Sequence, residues 1–211
     1  MQKFISTLLF SVLFSAISYG NTYGNTYAAT TQDKLQTKLP GTIAMHISKT
    51  HYQHPVRLLH PYLDVWHMKG PLAEIAALKT LKKRFANVVH CNTNDSASAN
   101  VVLLLEPHMF YNPQLRVFHA EIIARAYVNS AEPANYDNAI TVIKKQAQQQ
   151  GDLGVKPDFY MQKAYSKAME KVIKKLETDQ AFLATLDKAT IQNPKAICDT
   201  LDTLPAAQFY Y

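Results

Sequence analysis

Val101-Val-Leu-Leu-Leu-Glu-Pro-His-Met-Phe110 and Leu115-Arg-Val-Phe-His-Ala-Glu-Ile-Ile-Ala-Arg-Ala-Tyr-Val128 are the two strongest strand signals in the chain. Both are rich in β-branched, aromatic and aliphatic residues, and they flank the turn-forming segment Tyr111-Asn-Pro-Gln114. That order predicts a long antiparallel hairpin, with Asn112 and Pro113 suited to the first two positions of a type I turn. Pro107 cannot donate to a ladder, which predicts an edge or a bulge there. A loop centred on Asn112-Pro113 places Glu106 opposite His119. A turn starting at Asn112 instead places Glu106 opposite Glu121 and His108 opposite His119. In both registers Glu106, His108, His119 and Glu121 share one face, because side chains alternate with period two. Leu103, Leu105, Met109, Phe118, Ala120 and Ile122 then form the opposite, helix-covered face.

Upstream of the hairpin, Thr42 to Ile47 alternates weakly and reads as a first strand. His51 to Pro61, punctuated by two prolines, reads as loop. Leu63 to His67 is a short strand, and Pro71 is placed to open a helix whose apolar residues recur as Leu72, Ile75, Ala76, Leu78, Leu81 and Phe85. Asn87 closes that helix, Val88 to Cys91 is a strand, and Asn92 to Asn100 is a polar loop. Downstream, Asn135 to Gln150 fits either a helix stopped by Gly151 or a strand through Thr141-Val-Ile143. Pro157-Asp158 starts a long helix with Asp as N-cap. Its apolar stripe is Met161, Ala164, Tyr165, Ala168, Met169, Val172, Ile173 and Leu176. Thr178-Asp179 starts a shorter helix through Ala189, and Pro194 stops any continuation. The expected fold is α/β (α+β): a small mixed sheet with a βαβ step and a long β-hairpin, its helices packed on one face.

The N-terminus carries Lys3 and then an apolar run of roughly 14 residues, too short for the ~20 of a membrane span. Small residues follow at cleavage positions, so residues 1–20 read as a secretory signal peptide, with cleavage as late as residue 28. Residues 21–41 read as a flexible lead-in and 42–211 as a single α/β domain. The expected location is periplasmic or secreted, with no transmembrane segment once the signal is removed. Cys91 and Cys198 are the only cysteines. In an oxidising compartment such a pair closes a disulfide. Lysine dominates a formal charge of +6. This suits anionic surfaces nearby, and an exported chain with few Arg and no binding motif argues against nucleic acid.

The order of a helix leading to a strand, a long hairpin and a covering helix is similar to a group of bacterial envelope domains. These are the auxiliary lipoproteins of ABC-type transport systems, the lipopolysaccharide-assembly lipoprotein, the curli-secretion lipoprotein and the N-terminal domain of the Tol propeller protein. Leu78 to Val89, Ser98-Ala-Asn-Val-Val-Leu-Leu-Leu-Glu106, Arg116 to Tyr127 and Tyr160 to Leu176 carry the resemblance. It implies a non-enzymatic envelope component that binds a partner protein complex or an amphiphile. The chain departs from the group in lacking a lipidation cysteine and in the long insert Asn129 to Val155.

Three constellations carry candidate chemistry. Two histidines and two carboxylates on one sheet face (Glu106, His108, His119, Glu121) could ligate a divalent metal. An ordinary solvated face with compatible cross-strand pairs has the same composition. His46, His51, His54, His60 and His67 form a histidine-rich tract without a metal-binding spacing. Lys163, Lys167, Lys171 and Lys174 line the polar side of the last long helix, where they can meet anionic lipid or lipopolysaccharide phosphates or simply face solvent. No Gly-x-Ser-x-Gly elbow surrounds Ser96 or Ser98, no Gly-rich phosphate loop exists, and the cysteines form no Cys-x-x-Cys pair. The expectation is a non-enzymatic binding component without a cofactor. A metal-binding protein and an exported hydrolase with an unrecognised site are the alternatives.

Overall fold

The computed structural model describes residues 37–60, 62, 64–91, 98–188 and 190–205. The segment read as a signal peptide, most of the stretch read as a lead-in, Ser96 and the aromatic tail Phe209-Tyr210-Tyr211 lie outside the described residues. Five strands form one mixed sheet: β1 (Leu39–His46), β4 (Phe85–His90), β5 (Val101–Asn112), β6 (Val117–Tyr127) and β7 (Thr141–Gln150), in the order β4-β1-β5-β6-β7. β1 pairs parallel with both β4 and β5, and the remaining pairs are antiparallel. A separate ribbon pairs β2 (Pro55–Leu59) with β3 (Asp64–Met68). The stretch read as loop, His51 to Pro61, therefore holds the end of the short helix α1 (Lys49–Tyr52) and a strand. β2 is only five residues long and is interrupted by Arg57, too short to give a period-two signal of its own.

Alternation splits the sheet into two faces. Ile43, Met45, Leu103, Leu105, Met109, Phe118, Ala120 and Ile122 point to one face. Against it pack α2 (Lys69–Arg84) and α3 (Pro157–Leu176), whose predicted apolar stripe is buried throughout. α4 (Gln180–Lys188) adds Phe182 and Leu186 to the same core. Asp179 caps that helix by accepting from the Phe182 N–H at 3.0 Å. The opposite face carries Ala44, Val102, Leu104 and Tyr127, and α5 (Pro194–Thr203) covers it with Cys198 and Leu201. Helices thus lie on both faces. Pro194 begins α5 where the sequence reading made it a stop. Proline is well suited to the first helical turn, and Asn193 caps the helix by accepting from the Ala196 N–H.

Three further boundaries move. α2 ends at Arg84, and Asn87 lies inside β4. α3 is preceded by Lys156 at a positive φ of 51°, with Asp158 inside the first turn and not at the cap. The ambiguous segment is a strand, and its burial alternates from Thr141 to Gln150 as an edge strand requires. Its free edge is partly occupied. Lys171 Nζ donates to the Gln146 carbonyl at 2.8 Å and Lys167 Nζ to the Gln148 carbonyl at 3.3 Å. At the other margin the Cys91 N–H donates to the Met45 carbonyl at 3.0 Å. By alternation, the amide groups of Ala86, Val88 and His90 point away from β1.

Cys91, just past β4, and Cys198 on α5 form a disulfide with Cα atoms 6.4 Å apart. The link spans 107 residues, and closing so long a loop stabilises the fold by about 4–5 kcal/mol on the chain-entropy argument. Among the described residues no helix is long and apolar enough to cross a membrane.

Candidate functional site

The parallel strands β1 and β4 end side by side, Met45 beside His90. β1 runs into α1, and β4 runs into the segment that returns to β5. A crevice at the carboxyl ends of parallel strands is the usual place for a ligand in such sheets. Here it is a cleft of about 420 Å³ lined by Met45, His46, Ile47, Lys49, Tyr52, Gln53, Glu74, His90 and Cys91. Met45, Ile47 and Cys91 are the apolar part of its lining.

Two carboxylate–histidine pairs provide its polar groups. His46 Nε2 lies 2.9 Å from Asp202 Oδ1, which also accepts from the Lys49 N–H at 3.0 Å. Lys49 Nζ lies 3.4 Å from the other Asp202 oxygen. Asp202 sits on α5, so the disulfide that fixes α5 also fixes this carboxylate. Burial lowers the His46 imidazole below its ordinary value and outweighs the pull of Asp202 in the other direction. On the other wall, Glu74 of α2 accepts from the Tyr52 hydroxyl at 3.0 Å and lies 3.1 Å from His90 Nδ1. Burial, followed by the Glu74 bond, raises the Tyr52 hydroxyl above its ordinary range. A pocket of a few hundred Å³ with a partly apolar lining and a few oriented polar groups suits a small amphiphile or a partner side chain.

The predicted metal face is arranged differently. β5 and β6 pair with Glu106 opposite Ile123, His108 opposite Glu121 and Phe110 opposite His119. All four residues share one face as expected, but the register is displaced because the loop is Pro113 to Arg116. Asn112 Oδ1 accepts from the Gln114 and Leu115 N–H groups at 3.0 Å each, and Arg116 takes a positive φ of 52°. The four do not converge. Glu106 is fully buried and ion-paired with Arg125. Glu121 pairs with Lys144 at 3.1 Å and with Gln146. His119 packs against the Phe110 ring, and among the described residues no group of three His, Cys, Asp or Glu is disposed to hold a metal ion. The sequence held a signal for this: Arg125 has the same parity as Glu121, so the face was never purely His/Glu.

Beneath α1 lies a buried polar cluster that sequence spacing did not connect. His51 Nε2 is 3.7 Å from Glu106 Oε2, and the His51 and His108 rings meet edge-on at 5.8 Å. The Arg125 guanidinium stacks 4.9 Å over the Tyr136 ring. Burial, reinforced by the Lys69 ammonium, holds His51 down at about 3 and His108 at about 4. Burial brings Lys69 itself to about 8. The remaining upstream histidines serve other contacts. His60 Nδ1 accepts from the Tyr62 N–H, His67 pairs with Asp158 at 3.1 Å, and His54 contributes its carbonyl to the Lys69 N–H at 3.5 Å. In the lysine row, Lys163 lies 4.4 Å over the Phe159 ring, while Lys167 and Lys171 hold the β7 carbonyls.

No family model and no curated protein matches the chain. Among solved structures, a Xanthomonas campestris protein of family DUF330 is similar, with a TM-score of 0.45 at 9% identity, covering 71% of this chain and 86% of that one. A candidate lipoprotein from Caulobacter crescentus CB15 gives 0.34 at 12% identity, covering 69% of this chain and 92% of the other. At these scores neither likeness carries an argument about function.

Proposed function

We propose that this chain is an exported, non-enzymatic binding component of the bacterial cell envelope, an auxiliary subunit of a transport or assembly system. Its recognition site is the cleft at the ends of β1 and β4. The observation that carries the reading is the Cys91–Cys198 disulfide, which ties Cys91 of the cleft lining to α5 and so anchors Asp202. Structural disulfides belong to oxidising compartments, and this one has one of its cysteines in the lining of the cleft. Pairing of Glu74 with Tyr52 and His90, and of Asp202 with His46 and Lys49, supports fixed recognition groups: each carboxylate is held from two sides. The auxiliary role rests on the sequence resemblance.

A second reading, acid–base hydrolysis, is favoured by one feature. Two carboxylate-oriented histidines face a common cavity, the arrangement that sets an imidazole tautomer for proton transfer.

A photo-cross-linking residue at Gln53, in the cleft lining, tests the proposal in envelope fractions, with the exposed Val155, outside that lining, as control. The expected result is recovery of an envelope complex from the Gln53 position alone, abolished by Glu74→Lys. Equal recovery from both positions, or none from either, overturns the cleft as the recognition site. Turnover of ester, peptide or glycan substrates that is lost in His90→Ala establishes the second reading instead.

A further inference from the structure

The β2–β3 ribbon is amphipathic across its thickness. Val56, Leu58, Val65 and His67 form its inner face, where Leu58 is fully buried in the main core and His67 is tied to Asp158 of α3. The register places Pro55, Arg57, Leu59, Trp66 and Met68 on the outer face. There Leu59 is 55%, Trp66 57% and Met68 51% exposed, and Tyr62, in the connection at the ribbon's tip, is 90% exposed. The Arg57 guanidinium lies 5.9 Å over the Trp66 ring. Soluble domains seldom hold a tryptophan, a tyrosine, a leucine and a methionine outward on one small, well-anchored element.

We infer that this outer face is an interfacial anchor that seats the protein on an anionic phospholipid bilayer. Three features favour lipid over a protein partner. The patch is small: two strands of five residues make a face roughly 17 Å by 10 Å, well under the ~800 Å² per partner of a stable protein interface. Its composition is that of a membrane–water boundary, where Trp and Tyr rings sit at headgroup depth and aliphatic side chains reach the acyl region. Its one arginine, Arg57, lies over Trp66; with Asp64 in β3 the formal charges of the two strands balance, so attraction to anionic headgroups comes from the formal +6 of the whole chain. The inner-face contacts hold the ribbon in place, so little ordering cost accompanies insertion. This inference is independent of the cleft.

Trp66 is the chain's single tryptophan, so its fluorescence reports this element alone. The purified protein is mixed with vesicles of phosphatidylglycerol and phosphatidylcholine in equal parts, or of phosphatidylcholine only. The expected result is co-sedimentation with the anionic vesicles, weakened by added salt. Trp66 emission should move to shorter wavelength and be quenched by brominated acyl chains. Leu59→Ser with Trp66→Ala, both outward and unneeded for the core, should weaken vesicle binding about tenfold or more and leave the circular dichroism spectrum unchanged. Absence of binding to anionic vesicles overturns the inference. So does binding without Trp66 quenching, which would place the contact at the α3 lysines. Loss of an identified envelope protein partner in the double variant, without vesicle binding, assigns the face to protein docking and likewise overturns it.

Discussion

Lowering the pH from 7 to 5 should strip this protein of a large part of its stability through His51 and His108. Both imidazoles ordinarily titrate at 6.5, and the fold holds them at about 3 and about 4. The causes are burial first and then the ammonium of Lys69 for both; Arg125 adds positive charge near His51, and at His108 Glu121 pulls the other way without outweighing burial. Between the two sets of values the unfolded chain binds two protons that the folded chain refuses. Stability therefore falls as pH falls through this window and is fully present above it. Each histidine contributes a slope approaching about 1.4 kcal/mol per pH unit. Integrated from pH 7 to 5, each withdraws about 2 kcal/mol, or about 4 together, against the ~5–15 kcal/mol of a typical domain. Urea unfolding of the oxidised protein at pH 7, 6 and 5 measures this directly. His51→Gln and His108→Gln should each remove a similar share of the pH dependence, and the double variant most of it, the remainder coming from His46 and His54, which burial also lowers. A double variant with the same slope as wild type refutes the assignment, as does a wild-type curve flat over the window.

Reduction of Cys91–Cys198 before unfolding should lower stability by about 4–5 kcal/mol, read as a shift of the urea midpoint with and without reductant. An unchanged midpoint shows that α5 holds its place without the bond. Gly70→Ala should cost about 2–3 kcal/mol or more, because a Cβ there falls into the backbone of Tyr52; a melting temperature within a degree of wild type contradicts that close approach.

The long hairpin was legible because its strands are rich in strand formers and burial alternates along β6. Its register was not, because the loop carries its positive φ on Arg116, a residue type that gives no turn signal. β7 hid behind three glutamines in succession and a chance helical spacing of Ile140, Ile143 and Ala147. α5 hid behind Pro194, which ends one helix as readily as it begins another. The disulfide followed from cysteine count and compartment. The cleft did not follow from sequence, since His46, Glu74, His90 and Asp202 lie on four elements, with His46 and Asp202 separated by 156 positions. Only the meeting of two parallel strand ends joins them, and of the four only His46 had stood out. The buried His51–Glu106–Arg125 cluster was missed for a related reason. α1 folds back over a face that strand alternation alone leaves open.

The two margins of the sheet are unequal recruits for another strand. Along β7 the amines of Lys167 and Lys171 already occupy the outward carbonyls of Gln148 and Gln146. Along β4 the amides of Ala86, Val88 and His90 point outward. Two side chains of α3 thus blunt the β7 margin against edge-to-edge pairing with another strand.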